Sequence, residues 1–134
     1  MSLKIGSAIK AGIEGKWIKV PAVSGAFHLK LKQMLIGEQY AFSKKKKALE
    51  NDDPKKLALT IETIAAHTLD WKGLLEADES EIAFNPELFK DKTFTDSLFA
   101  LTVEDGRYLM EWIVSTINKS DVFAEDDESF LANT

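Results

Sequence analysis

Side chains suited to acid-base or metal chemistry are scarce in this chain, which has two histidines and no cysteine. His28 falls on a polar position of an alternating, strand-like segment, whereas His67 lies near the end of a predicted helix. A positive charge at that end would suit the partial negative charge of the helix carbonyls. Because the two imidazoles lie in unlike elements, we expect both to be structural or solvent-exposed. The absence of cysteine also excludes disulfides, thiolate zinc sites and cysteine nucleophiles.

The acidic pairs are the other candidates for chemistry, because neighbouring carboxylates can bind a hard cation. Calcium takes about six to eight oxygen ligands, spaced along a loop that contains a turn glycine. None of the pairs has that spacing; they are Asp52/Asp53, Asp78/Glu79 and Asp126/Asp127. The chain also lacks the HExxH, GxSxG, Walker and dinucleotide-binding motifs. We therefore predict that the protein is not an enzyme and holds no metal ion and no cofactor.

The charges divide the chain into a basic half and an acidic half. Residues 1–69 carry a net charge of +6, and residues 70–134 carry a net charge of −11. All but one of the 17 basic residues are lysine, and only Arg107 has the planar guanidinium that reads guanine or grips phosphate at two points. We therefore expect no sequence-specific nucleic-acid binding.

The run Lys44–Lys47 allows three interpretations. Consecutive helical positions point around a helix, which favours a solvated face over a phosphate track. The third interpretation is contact with an acidic protein surface, which the acid-rich half of a second copy offers. We expect homo-oligomers formed through the basic N-terminal and acidic C-terminal halves. They should weaken with salt, because exposed charges are screened beyond about 10 Å at 0.1 M.

Length and composition predict one globular domain over residues 1–123, with residues 1–15 as a candidate flexible leader and residues 124–134 as an acidic flexible tail. The predicted fold class is α+β and predominantly helical, with a small N-terminal β-hairpin packed with four to five helices. Met1–Ala11 lacks a signal-peptide core, and no stretch approaches the roughly 20 apolar residues of a membrane helix. We expect neither export by a signal peptide nor a membrane location.

Hydrophobic periodicity places the elements of the first half. Polar and apolar residues alternate over Lys16–Val20 and Phe27–Leu31, which predicts a hairpin. A helix is predicted over Leu35–Leu49, with its buried side formed by Leu35, by Tyr40 or Phe42, and by Leu49. Asn51-Asp52-Asp53-Pro54 predicts the start of a second helix, with an aspartate as its cap and proline at the first helical position; this helix runs into Asp70-Trp71-Lys72-Gly73. One apolar stripe follows that helix: Leu57, Ile61, Ile64, Ala65 and Thr68.

An acidic turn, Glu76–Ser80, opens the second half and predicts either a short hairpin or an irregular loop. Asn85-Pro86-Glu87 then predicts a short helix that ends near Lys90. Thr93 or Thr95 is expected to cap another helix through Leu101. The last helix is predicted from its apolar face: Leu109, Trp112, Ile113, Thr116 and Ile117.

The three tryptophans, Trp17, Trp71 and Trp112, sit among apolar neighbours, so core packing is the favoured interpretation for each. Tryptophan is also enriched among the residues that anchor protein interfaces. Trp71 is the best interface candidate of the three, because it lies at a predicted helix exit beside a predicted loop.

The order of these features is similar to that of the tail assembly chaperones of long-tailed bacteriophages. The resemblance rests on the two strands, on Asp70-Trp71-Lys72-Gly73 and on Ile82-Ala83-Phe84-Asn85-Pro86-Glu87, and it covers residues 16–119. In that family a helix commonly runs into a W-x-G segment, then an acidic turn, then the start of the next helix. The family's turn often carries a glycine, whereas Ala77-Asp78-Glu79-Ser80 has none.

The resemblance implies a non-enzymatic, mostly helical protein of the host bacterial cytoplasm that is absent from the finished virion. Such a protein binds the tape measure protein and helps tail tube subunits to polymerise around it. Two alternatives stay open: a structural morphogenesis protein, such as a tail terminator or head-tail connector, and a generic protein-interaction module. To act as such a chaperone, the protein has to cover a long helical partner with apolar grooves. The residues expected to line or border such a groove are Leu57, Ile61, Ile64, Trp71 and Phe84.

Overall fold

A computed structural model describes residues 13–21 and 26–119 of the chain. Its elements are β1 Lys16–Lys19, β2 His28–Leu31, α1 Ile36–Ala48, α2 Asp53–His67, β3 Thr68–Lys72, a 3-10 helix Pro86–Lys90, α3 Lys92–Phe99 and α4 Leu109–Ile117. The predicted α+β class, mostly helical with a small β-hairpin, is confirmed. Residues 1–12 of the predicted leader and the predicted tail, 124–134, lie outside the described residues.

The strands form an antiparallel sheet in the order β1-β2-β3. Trp17 pairs with Lys30 and Ile18 pairs with Leu29, so the predicted hairpin is confirmed. The alternation also holds on the central strand, where Leu29 and Leu31 are buried. Lys30, between them, is only half-buried. One face of β2 therefore belongs to the core.

The third strand corrects the sequence prediction, which continued the second helix into Asp70-Trp71-Lys72-Gly73. The helix α2 ends at His67, and the backbone of Thr68 is already extended, with φ −106° and ψ 117°. Leu29 pairs with Trp71 across the β2–β3 ladder. Without β3, one edge of β2 would keep its amides and carbonyls unpaired. That long-range requirement overrides the local helical pattern.

Gly73 ends β3 with a positive φ of 84°. A Cβ at this position would collide with the backbone carbonyl of Ala26, on the segment that leads into β2. Only glycine satisfies both the left-handed backbone and the close approach. The structure therefore explains why the W-x-G segment singled out in the sequence ends in glycine.

The helix α1 lies on the outside of the fold and contributes no buried residue. The prediction that Leu35 and Tyr40 face the core is wrong, since their exposed fractions are 43% and 73%. Phe42 and Leu49 are half-buried, so those parts of the predicted buried side hold. The helix α1 contacts α2, and every buried residue of the apolar core lies outside α1.

Helix caps follow the sequence in two of three cases. Asn85 accepts a hydrogen bond from the amide of Glu87, as predicted. The predicted aspartate cap of α2 is Asp52, which accepts from the amide of Lys55, and Pro54 is the second helical residue instead of the first. The third cap is a correction: Asp91 accepts from the amide of Phe94, and α3 ends at Phe99 instead of Leu101. Thr95 is buried inside α3 and Thr93 does not cap it. Asp91 caps α3 because its carboxylate follows the 3-10 helix directly, in an extended conformation.

A single apolar core joins the sheet to α2 and α4. All five residues of the predicted apolar face of α4 are buried: Leu109, Trp112, Ile113, Thr116 and Ile117. Ile64 of α2 and Leu31 of β2 have no exposed surface. The core therefore covers α2 at Ile64 and leaves the adjoining side of the helix, around Leu57 and Ile61, free to form a surface.

Candidate functional site

The free side of α2 forms one wall of an open trough. Its first part has a volume of about 490 Å³, between α2 and the segment made of the 3-10 helix and α3. A second depression of about 210 Å³ continues it toward the start of α4. The two parts share Leu57, Ile61, Thr95 and Asp96. We call this surface the trough; its apolar lining comprises Leu57, Ala58, Ile61, Ala65, Phe89, Phe99, Tyr108 and Met110.

The two prolines that open the flanking helices also border the trough. Pro54 lies in the first turn of α2, and Pro86 opens the 3-10 helix on the opposite wall. Their fixed φ angles suit the first turn of a helix, where no amide partner is needed. The walls therefore begin at two rigid positions set by local sequence.

Charged groups lie on the rim. Lys92 and Asp96, one turn apart on α3, form an ion pair of 3.3 Å. Lys90 pairs with Glu87 at 3.2 Å on the 3-10 helix, and Glu62 stands on the α2 side. Exposed pairs of this kind contribute little stability. Their effect is to surround an apolar floor with charges of both signs.

Large apolar side chains remain exposed along the trough. Leu57 keeps 43% of its surface accessible and Tyr108 keeps 53%. Single exposed apolar residues are ordinary, but a concave apolar surface with a polar rim is typical of binding sites. The trough is therefore the candidate functional site.

The five residues that the sequence analysis named for a groove divide into two groups. Leu57 and Ile61 line the trough. Ile64 lies one turn further on the core side of α2, with no exposed surface. Trp71 is only 3% exposed, and Phe84 packs against it. Ile64 and Trp71 are thus inaccessible to a partner: the core covers α2 at Ile64, two turns beyond Leu57 on the same helical face, and Trp71 packs against phenylalanine rings.

Trp71 organises an aromatic cluster behind one wall of the trough. Its ring centroid lies 4.7 Å from Phe84, 5.8 Å from Phe89 and 5.8 Å from Phe94. Its indole Nε1 donates a hydrogen bond of 2.8 Å to the carbonyl of Ile82. Phe89 belongs both to this cluster and to the trough lining. Trp71 therefore supports the trough from behind instead of touching a ligand.

Sequence reasoning did not find the opposite wall of the trough. Phe89, Thr95, Tyr108 and Met110 come from three separate elements, and only the tertiary fold brings them to α2. The one local signal was Asn85-Pro86, which correctly placed the 3-10 helix that carries Phe89.

His67, one of the two histidines of the chain, is a buried link between helices. Its Nδ1 lies 2.8 Å from the carbonyl oxygen of Thr63, and its Nε2 lies 3.1 Å from the Glu38 carboxylate. The ring thereby ties α1 to the end of α2. Among residues 13–21 and 26–119, no group of three or more histidine, aspartate or glutamate side chains could hold a metal ion.

The acidic turn takes the hairpin alternative of the two that were predicted. Leu75 and Glu81 form an antiparallel bridge, and the amide of Glu76 donates to the carbonyl of Ser80. The Ser80 hydroxyl and amide donate to Asp78, which lowers the pKa of that carboxyl. Glu79 adopts a φ of 69°, a conformation in which glycine is unstrained.

Asp105 is the second carboxyl with a shifted pKa. The amide of Arg107 donates to it and lowers its pKa, and the guanidinium adds an ion pair of 2.8 Å. Like Asp78, this residue lies in a surface turn outside the trough lining. The two shifts therefore describe turn stabilisation and give the trough no reactive group.

Comparison of the chain with protein-family models, with curated proteins and with solved structures gave no match. In the part of the chain that the structure describes, no helix is long and apolar enough to cross a membrane.

Proposed function

We propose that the protein is a phage tail assembly chaperone, which binds the tape measure protein through the trough and promotes polymerisation of tail tube protein around it. The observation that carries the proposal is the open apolar trough along α2, with Leu57 and Tyr108 exposed in it. The resemblance of residues 16–119 to that chaperone family supplies the partner. The proposed place of action is the cytoplasm of the host bacterium, before the virion is complete.

The shape of the trough supports a helical segment of the tape measure protein as its occupant. The helix α2 has 15 residues, so it is about 22 Å long and can lie alongside a comparable length of a partner helix. Amphipathic helices bind apolar grooves through side chains at i, i+3 or i+4, and i+7. The two depressions, which share Leu57 and Ile61, offer successive places for such side chains.

The charges on the rim of the trough support a preference for one alignment of the partner helix along the trough. Glu62 and Asp96 would favour lysine or arginine beside the apolar stripe of the partner, and Lys90 would favour an acid. Rim charges mainly affect the association rate and exclude wrong partners, while the apolar floor supplies affinity. A tape measure segment with both basic and acidic residues flanking its stripe fits best.

We further propose that copies of the chain associate weakly through the basic and acidic halves. Sedimentation velocity at high protein concentration should show oligomers at low salt, and added salt should shift the protein toward monomer. A monomer under the low-salt condition would contradict this part of the proposal.

Copurification with co-expressed tape measure protein tests the proposed function. Leu57→Asp places a charge in the trough, and Leu75→Asp is a matched control on the hairpin, since the two leucines are 43% and 53% exposed. We expect Leu57→Asp to abolish copurification and Leu75→Asp to retain it. Retention by both variants, each folded by circular dichroism, would contradict the proposal.

Mass spectrometry of purified virions separates the proposal from a structural role. A chaperone is expected to be missing from particles that are otherwise complete. Stoichiometric presence of the chain in particles would favour a tail terminator or head-tail connector instead.

A further inference from the structure

The second surface of interest is the seam between α1 and α2, on a different side of α2 from the trough. A cleft of about 200 Å³ lies there, which we call the α1–α2 cleft. Its apolar walls include Met34, Phe42, Leu59 and Ala66, and Lys45 stands at its edge. The helix α1 covers this cleft incompletely and buries none of its own residues.

The last turn of α1 is strongly basic. Lys44–Lys47 are all exposed. Lys46 and Lys47 border a shallow depression together with Lys56 of α2 and one acid, Glu50. Such a density of like charge on one short helix favours an anionic neighbour.

The chain itself supplies an anionic segment close by. The carbonyl of Ile117, at the end of α4, accepts a hydrogen bond of 2.8 Å from the amide of Met34, which is a wall of the α1–α2 cleft. The described residues end two positions later, at Lys119. The last described residues therefore lie beside the cleft, and residues 120–134 follow them in the sequence; this segment, the predicted tail 124–134 together with residues 120–123, is called the tail from here on.

The order of residues in the tail matches the order of features along α1. Val122 and Phe123 come first, and the acids Glu125–Glu128 follow. From Lys119 to Glu125 an extended chain spans about 20 Å. From Ile36 to Lys45 the helix rises about 14 Å. The apolar pair can therefore reach the cleft, and the acids can reach Lys44–Lys47.

We propose that the tail docks on α1 of its own chain, with Val122 and Phe123 in the α1–α2 cleft and Glu125–Glu128 against Lys44–Lys47. Two acids, Glu38 and Glu62, line the cleft together with Lys45, and Glu38 is paired with His67; the other three lysines of the run lie outside the cleft lining. The docked tail therefore meets lysines where it is acidic and apolar walls where it is apolar. This inference does not depend on the proposed function, because the trough stays open.

Docking within one chain is favoured over docking on a second copy at ordinary protein concentrations. A short flexible tether holds its end at an effective concentration of about 1 mM. Exchange of tails between copies becomes competitive only near that concentration. The salt-sensitive self-association proposed above would then arise by such exchange.

Disulfide trapping in the full-length chain tests the contact, and the absence of native cysteine leaves only the introduced pair. Ala41→Cys, at an exposed position lining the cleft, is combined with Ala124→Cys in the tail. The control combines Ala124→Cys with Ser97→Cys, at an exposed position on α3. At micromolar protein and low salt we expect monomeric disulfide to form about tenfold faster in the first pair. High salt should reduce that advantage.

Equal rates for the two pairs, or a product that is mainly dimeric, would overturn the proposal. A nitroxide on Ala124→Cys alone gives a second measurement in the otherwise native chain. We expect it to broaden the amide resonances of residues 41–47, and lysine substitution of Glu125–Glu128 should abolish that broadening. Broadening centred on Leu57 and Ile61, or none at all, would also overturn the proposal.

Discussion

Truncating Trp71 should destabilise the fold far more than truncating Trp17, although both lie in the same sheet. Trp71 is 3% exposed and contacts three phenylalanine rings at centroid distances between 4.7 and 5.8 Å. Trp17 is half-buried on the edge strand, and its ring contacts the Lys72 ammonium at 4.5 Å. Trp17→Ala is therefore the matched control.

The expected magnitudes follow from these contacts. Replacing a buried tryptophan by alanine costs about 3–5 kcal/mol of unfolding free energy. For Trp71 that loss includes about 1 kcal/mol for the hydrogen bond from Nε1 to Ile82. Trp17→Ala should cost about 1 kcal/mol, since it removes partial burial and one cation–π contact. A domain of ordinary stability, about 5–15 kcal/mol, would be left marginal by Trp71→Ala.

Urea denaturation followed by circular dichroism measures the difference, provided that the slope against denaturant stays the same. Trp71→Phe should fall between the wild type and Trp71→Ala, because it retains most of the ring but leaves the Ile82 carbonyl unpaired. Equal losses for Trp71→Ala and Trp17→Ala would refute the reasoning. So would a Trp71→Ala variant of normal stability that fails to bind its partner, since Trp71 would then be an interface residue.

Three further stability predictions concern backbone positions. Gly73→Ala should cost several kcal/mol or prevent folding, because its Cβ would collide with the Ala26 carbonyl; soluble yield and urea midpoint test this. Glu79→Gly should stabilise the chain by about 0.5–1 kcal/mol, since it relieves a positive φ; a lower melting temperature would contradict the strain argument. Asp91→Ala should cost about 1 kcal/mol of unfolding free energy and Thr93→Ala much less, because Asp91 caps α3. A larger drop in melting temperature for Thr93→Ala than for Asp91→Ala would contradict the Asp91 cap.

Local features of this fold could be read from the sequence. The hairpin of β1 and β2 follows from strict alternation, and an aspartate cap for α2 and the Asn85 cap follow from short polar residues close before Pro54 and Pro86. The last helix follows from five apolar positions at helical spacing. Each of these elements is specified by residues within one turn or one strand of each other.

Features that depend on distant residues could not be read in this way. Thr68–Lys72 is a strand only because it pairs with the edge of β2, and no residue pattern within α2 indicates that the helix ends at His67. Leu35 has the right spacing from Phe42 and Leu49 for burial but is 43% exposed, because α1 packs outside the core. Tyr40, the alternative to Phe42, lies on another face of α1 and is 73% exposed. Amphipathic spacing indicates which residues share a face and leaves open what covers that face.

The trough shows the same limit. Its α2 wall was found through Leu57 and Ile61, whereas Ile64 on the same predicted stripe turned out to be core. A stripe wider than one packing partner must be divided between two surfaces. Which residues face which surface depends on where α3 and α4 pack, and the sequence of α2 does not contain that information.

Site-specific photocrosslinking tests the central claim most directly, namely that the trough binds a segment of the tape measure protein. A photoreactive amino acid replaces Leu57 in the trough, or Leu75 on the hairpin as the control, in cells that co-express the partner. We expect a covalent adduct with the tape measure protein from position 57 and none from position 75. Adducts from position 75 alone, or no adduct from position 57 while the two proteins copurify, would contradict it.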